Sequence, residues 1–167
     1  MEIRRLTASD AQALWDLRRM ALESAPEAFG ESMDEHLHMP VGVFATRLGS
    51  GGDENYVYGA VDDSTLVGMA GFYRDAKQKR RHRGWIWGVF VLPNRRGEGV
   101  ARQLLQAALD RARRIDGLKC VLLSVTTTQN AASRLYESLG FRRYGYEPRA
   151  LQVEGRFIDE EYMLLNL

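Results

Sequence analysis

The stretch from Val89 to Ala101 holds the residues whose types and spacing could do chemistry. An apolar run from Trp85 to Leu92 stops at Pro93-Asn94. A turn carrying Arg95, Arg96, Gly97, Glu98 and Gly99 follows, and a helical period begins at once. The first N–H groups of a helix have no intrahelical acceptors, and the macrodipole adds partial positive charge, so this turn reads as an anion site. Gly97 and Gly99 carry no side chain to bar a close ligand, and Arg95, Arg96 and Arg102 offer charge-assisted hydrogen bonds. The chemistry would be the binding of phosphate. The plain alternative is a tight turn with solvated arginines. A Walker A loop would need a Lys followed by Ser or Thr after its second glycine, and neither is present. A dinucleotide fingerprint would need a third small residue where Arg102 stands.

The segment from Trp85 to Phe141 resembles the GNAT superfamily of N-acetyltransferases. Arg96-Gly97-Glu98-Gly99-Val100-Ala101 matches that family's pyrophosphate motif, and Val89-Phe90-Val91-Leu92-Pro93 matches the strand and proline before it. Asn130, Ser133, Tyr136, Gly140 and Phe141 fall at the family's later positions without insertion. The resemblance implies acetyl-CoA as co-substrate, bound in a wedge between two splayed parallel strands that end at Leu92 and Val125. Main-chain groups near Phe90 and Val91 would hold the pantetheine arm and thioester carbonyl. The Arg96–Ala101 backbone, with Gly97, Glu98, Gly99 and Val100, would hold the pyrophosphate. Asn130 would orient the pantetheine or a water, Ser133 would reach the cofactor, and Tyr136 would protonate the departing thiolate. The implied reaction is direct transfer to a primary amine, on a small molecule or a protein, with no acetyl-enzyme. Bland readings stay open beside these: Asn130 as a helix N-cap, Tyr136 as a packing residue, Ser133 facing solvent.

The attacking amine must be neutral, and a lysine-like amine with an ordinary pKa of about 10.4 needs a base or water relay. Many relatives carry a strand glutamate for this. Trp85, Ile86, Trp87 and Gly88 stand there instead, which leaves the base unassigned. Glu23, Glu27, Glu31 and Glu35 lie in the N-terminal helical region, each also readable as a solvated residue, and Glu31 is the first choice. His36, His38 and His82 could titrate near neutrality, but their spacing makes no metal site, and none is expected. Trp85 and Trp87 share a strand face, as core packing or as an aromatic wall for the acceptor. The basic run Lys77 to Arg83 reads as a solvated loop or as a contact for an acidic partner. Cys120, the chain's one cysteine, reads as structural.

These residues need elements to position them. A short strand, Ile3 to Leu6, leads through the capping residues Thr7-Ala8-Ser9-Asp10 into a helix with apolar positions Ala13, Leu14, Leu17, Ala21 and Leu22. A break at Ser24–Gly30 precedes a second helix over Met33 to Leu48, weakened by Pro40 and Gly42, and a loop at Gly49–Asp53. Tyr56 to Val61 and Leu66 to Tyr73 read as a hairpin, and Trp85 to Leu92 as a central strand. Helical period returns from Glu98 to Ile115, followed by a strand (Lys119 to Val125) and a helix from Asn130 to Leu139 that Gly140 stops. Phe141 to Tyr146 and Arg156 to Leu165 read as two last strands, with a hairpin turn at Glu154-Gly155. The expected architecture is one α/β domain over residues 1–167, a mixed sheet flanked by helices.

With 167 residues, 45% hydrophobic and 27% charged, the chain can bury a core. A formal net charge of +1 announces no nucleic-acid or membrane partner. A single cysteine and an N-terminus without an apolar run point to the cytoplasm, and no stretch approaches a membrane span. A monomer or homodimer would fit. A competing function is a binding module, an acyl-CoA sensor or nucleic-acid-associated protein that keeps the fold without turnover.

Overall fold

The computed structural model describes residues 1–167. Strand β1 (Glu2–Arg5) leads through a 3-10 turn into α1 (Ala11–Ser24). The turn is fixed by Asp10, whose carboxylate accepts the Thr7 N–H at 2.8 Å and two hydrogen bonds from Arg4 at 2.7 and 2.9 Å. Helix α1 buries Ala11, Leu14, Leu17, Ala21 and Leu22 at helical spacing. Ala13, expected in that stripe, is exposed, because the helix begins one turn later than the capping residues suggest and Ala11 takes the inward position.

The single helix expected over Met33 to Leu48 is two, α2 (Met33–Leu37) and α3 (Val41–Ser50). Pro40 stands between them as the N-cap of α3 in extended conformation, since proline has no N–H to continue the first helix. Ser32 and Glu35 close a capping box at the start of α2. Helix α3 also takes in Gly49 and Ser50, which the sequence suggested as loop.

Strands β2 (Asn55–Asp62) and β3 (Thr65–Arg74) form the expected hairpin, turned by Asp63 and Ser64 at positive φ. Strand β4 (Arg83–Val91) is followed by α4 (Val100–Ala112), β5 (Cys120–Thr126) and α5 (Asn130–Ser138). The last hairpin, β6 (Arg142–Val153) and β7 (Arg156–Asn166), is longer than the sequence suggested, because two register shifts let β6 bend along its partner.

One seven-stranded sheet runs in the order β1-β2-β3-β4-β5-β7-β6. All neighbours are antiparallel except β4 and β5. On one face, α4 and α5 cover a core that includes Ile86, Leu105, Leu109, Leu123 and Phe141. On the other, α1 and α3 pack Leu14, Leu17, Phe44 and Leu48 against Val57, Met69 and Phe90. Burying the fully enclosed Leu104, Leu105 or Leu109 stabilises the fold by about 1.5–3 kcal/mol each.

Candidate active site

The site is built by a failure of pairing. Parallel β4 and β5 are joined only at Arg83↔Cys120, Gly84↔Val121 and Trp85↔Leu122. Beyond Trp85 the strands diverge, so the β5-facing backbone groups of β4 lose their sheet partners. Gly88, at φ 61°, reinforces the opening. Met69 pairs with Phe90 and Gly71 with Trp87, so β4 bulges here and its backbone is re-aimed. The wedge that results holds a small cavity of about 80 Å³ whose walls include Trp87, Gly88, Val89, Ser124, Val125 and Tyr136.

A larger cleft of about 440 Å³ continues from the wedge toward the start of α4. Phe90, Val91, Arg96, Gly97, Gly99, Val100, Ala101 and Tyr136 all line it, so most of the residues singled out in the sequence converge on one surface. The backbone N–H groups from Gly97 to Arg102 donate no hydrogen bond to any backbone acceptor in the chain, and Gln103 is the first to bond back, to the Gly99 carbonyl at 3.1 Å. A row of unused donors at a helix start fits an anionic group. Gly97 and Gly99 have φ of 83° and 77°, and a Cβ at either would meet no atom within 4 Å. Glycine is therefore needed here for the left-handed turn and for access, not for want of space.

The arginines divide their work. Arg95 binds Asp62 and lies 3.8 Å from Glu98. Arg102 donates to the Ser138 hydroxyl at 2.7 Å, tying α4 to α5. Arg96 donates from Nε to the Val91 carbonyl at 3.2 Å and lies 5.8 Å from the Phe90 ring centre. Its guanidinium is exposed beside the cleft and, like that of Arg102, is bound only to a neutral acceptor.

Tyr136 is the only buried residue of α5, 6% exposed, with its ring edge-on to Phe141. Its hydroxyl makes no hydrogen bond in the chain, yet it is not sealed from solvent, so it opens on the wedge and cleft that its ring lines. Burial pushes the phenol far above its ordinary value, which keeps the proton on oxygen at neutral pH.

Glu98, Asn130 and Ser133 do not line the cleft. Glu98 and Asn130 are exposed and Ser133 is half-buried. The N-cap of α5 is Gln129, not Asn130, and Gln129 lines both wedge and cleft. Phe29 does the same from the Pro26–Ala28 turn, a placement that the helix break at Ser24–Gly30 foreshadowed only as a bend.

The four glutamates considered as bases do not line the wedge or the cleft. Glu35 accepts the Ser32 N–H at 2.8 Å, and that bond lowers its pKa. Glu23 pairs with Arg19 at 3.2 Å, and Glu31 with Arg18 at 2.9 Å. His36 is wholly buried, with Nε2 3.0 Å from the Trp15 carbonyl. A carboxylate that the sequence does not flag, Glu160, also lies outside the wedge and cleft linings but borders Ser124, which lines the wedge. Glu160 on β7 is level with Thr126 on β5 and Glu147 on β6, two residues along from the Ser124–Tyr162 pair. Burial and then Glu147 push its carboxyl up, while the Ser124 hydroxyl pulls it back. Nothing in the local sequence pattern could have revealed this, because the neighbours come from three strands.

Elsewhere, Arg74 and Arg81 both hold Glu54 at 2.7 Å, which neutralises part of the basic run. Cys120 lies at the closed end of the β4–β5 pair, and burial raises its thiol pKa.

The chain matches the model of the acetyltransferase (GNAT) family over residues 14–141. It is 36% identical over 116 residues to the N-alpha-acetyltransferase RimI of Mycobacterium tuberculosis, covering 70% of this chain and 69% of that one. It is 35% identical over 96 residues to an L-methionine sulfoximine/L-methionine sulfone acetyltransferase of Pseudomonas paraeruginosa, covering 57% of this chain and 55% of that protein. The match thus spans about half the length of such relatives. Among solved structures, the putative acetyltransferase yncA of Salmonella typhimurium, determined with its cofactor acetyl-CoA, superposes with a TM-score of 0.80 at 26% identity, over 100% of this chain and 94% of that one. No helix is long and apolar enough to cross a membrane. Wedge, donor row and sequence match agree, and the chain belongs to the GNAT family of acetyltransferases.

Proposed function

We propose that the protein transfers the acetyl group of acetyl-CoA directly to a primary amine within a ternary complex. The observation that carries this reading is the parting of β4 from β5 after Trp85, which opens a wedge between unpaired strand edges with the unpartnered Tyr136 hydroxyl on its wall. Acetyl-CoA would supply the thioester to be attacked and a thiol leaving group.

The residues fit such a molecule. The N–H row from Gly97 to Arg102 receives the pyrophosphate, with Arg96 turning from the Val91 carbonyl to add charge. The unpaired backbone of β4 around Phe90 receives the amides of the extended arm, much as an added strand would be received. Tyr136, held protonated by burial, donates to the departing thiolate. Glu160, beside Ser124, is assigned the amine's proton, a task suited to a carboxyl whose pKa burial has raised. Asn130 and Ser133 keep their suggested cofactor roles only if α5 turns or the ligand extends over its exposed face.

Direct transfer is favoured over an acetyl-enzyme by the position of the one thiol. Cys120 sits where β4 and β5 are still paired, at the far end from the opening, and its raised pKa disfavours the thiolate. A cytoplasmic location belongs to the same reading. Calorimetric titration with acetyl-CoA, NAD and ATP is the first test. Selective binding of acetyl-CoA is expected, and a folded protein that ignores it would end the proposal. Initial rates against both substrates should give intersecting lines, whereas parallel lines would favour a covalent intermediate.

A further inference from the structure

A second cavity lies on the other face of the sheet, between α1, α3 and strands β2–β4, with a volume of about 240 Å³. Leu14, Phe44, Leu48, Met69 and Trp87 make it largely apolar. Trp87 walls both this pocket and the wedge, so one indole separates the two spaces.

Arg18, Glu31, Arg47 and Asn55 interrupt the apolar lining, and Arg18 is the buried cation among them. It lies in the buried stripe of α1, between Leu14 and Ala21, and is 8% exposed. Its Nε donates to Glu31 Oε2 at 2.9 Å, and its guanidinium lies 4.5 Å from the Phe29 ring centre. Its Nη1 is buried and has no hydrogen-bond partner. That nitrogen points at the bulge: a Cβ on Gly88, a residue of the wedge wall, would stand 3.7 Å from it. Glu31 and Phe29 account for Nε and for the face of the guanidinium, but a buried N–H donor left without an acceptor at Nη1 is costly. The arrangement makes sense if the acceptor arrives with the second substrate.

We infer that this pocket is the acceptor subsite, and that the acceptor is a small α-amino acid with an apolar side chain, its carboxylate bound by Arg18. The inference rests on the acetyl-transfer reading above. A carboxylate is the anion that sits one carbon from a primary amine in the commonest amine metabolites, and a guanidinium recognises it through parallel N–H bonds. With the carboxylate on Nη1 beside Gly88, the amine lies toward the wedge and the side chain enters the apolar pocket past Trp87. Glu31 keeps the guanidinium oriented by holding Nε, and is itself 3.6 Å from His36 Nδ1, a second buried nitrogen without a hydrogen-bond partner. A bare amine would leave Arg18 Nη1 without an acceptor, and an acidic side chain would meet the apolar walls.

The test uses the whole chain and commercial compounds. L-Leucine and L-methionine are compared with the amines that lack the carboxylate, 3-methylbutylamine and 3-(methylthio)propylamine, by thiol release from acetyl-CoA and by calorimetric binding. Loss of the carboxylate should lower kcat/KM and affinity about 10- to 100-fold, the usual worth of a hydrogen bond to a charged group. Arg18→Gln should raise KM for the amino acids by a similar factor, with acetyl-CoA affinity and kcat nearly kept, and Arg18→Lys should recover part of the loss. Equal or better handling of the bare amines, or no binding of the amino acids, overturns the inference. Because the compound series needs no variant, misfolding cannot obscure the result. Acetyl-CoA binding separates the two levels: if it is present without carboxylate preference, the acceptor assignment alone fails, and if it is absent, the transfer reading fails.

Discussion

Replacing Tyr136 by phenylalanine removes one oxygen from the wedge and should separate catalysis from folding. The ring would keep its edge contact with Phe141, 6.0 Å between centres, and its place in the core under α5. The hydroxyl has no partner in the chain, so no hydrogen bond is broken and no buried acceptor is orphaned. The stability change should therefore stay within about 0.5 kcal/mol, the range of substitutions that leave no cavity or unpaired group. Turnover should behave otherwise. A positioned acid contributes about 10²–10⁴-fold, so kcat should fall at least about 100-fold, or roughly 2.7 kcal/mol of barrier. Acetyl-CoA affinity should be nearly unchanged, since the donor row at Gly97–Arg102 is untouched. Three measurements suffice: thermal unfolding, calorimetric acetyl-CoA binding, and thiol release with an accepted amine. A stable variant with normal turnover would remove Tyr136 from the chemistry. Equal losses of binding and turnover would make it a packing or binding residue instead.

Gly99→Trp should lose acetyl-CoA binding, because a bulky side chain would both strain the left-handed turn at φ 77° and project from a residue that lines the cleft. Unchanged calorimetric affinity would take the loop out of the site. Gly71→Ala should act on the acceptor side, since the added Cβ would fall 2.2 Å from the Trp87 ring and push aside the indole between pocket and wedge. We expect a higher acceptor KM, and an unchanged KM would show that Trp87 does not shape the acceptor site. For Glu160 the sign follows from its raised pKa: the base form is present above that value, so kcat/KM should fall as pH drops through it. Glu160→Gln should lower activity most at neutral pH and least at alkaline pH, where the amine loses its proton unaided. A pH–rate profile identical to the wild type would refute the assignment.

Local pattern carried much of this molecule. The arginine–glycine turn before α4 could be read because a helix start must expose its N–H groups wherever the rest of the chain lies. The stripe Leu104, Leu105, Ala108, Leu109 and Ala112 is buried as its period requires. Pro40, a weak point in the one helix that the sequence suggests, is the boundary between two. What stayed hidden depends on partners distant in sequence. Ser124, Glu147 and Glu160 meet only through the pairing of β5, β7 and β6, which no spacing announces. Arg18 carries no signal in the sequence, because its surroundings come from Phe29, Glu31 and the β4 bulge. Asn130 is exposed in the first turn of α5, and Gln129 takes the cap position before it.

The brief contact between β4 and β5 also has a mechanical meaning. Three residue pairs stitch the strands β1–β4 to the strands β5–β7, and past Trp85 the two blocks are held by side chains from α4 and α5, not by a ladder. Such a seam can flex without unfolding either block. A ligand arm lying in the gap, bonded to both unpaired edges, would restore the missing rungs and act as a temporary strand of the sheet. Occupancy and rigidity would then be one event, so that the seam is closed along its length only while the protein holds what it is about to use.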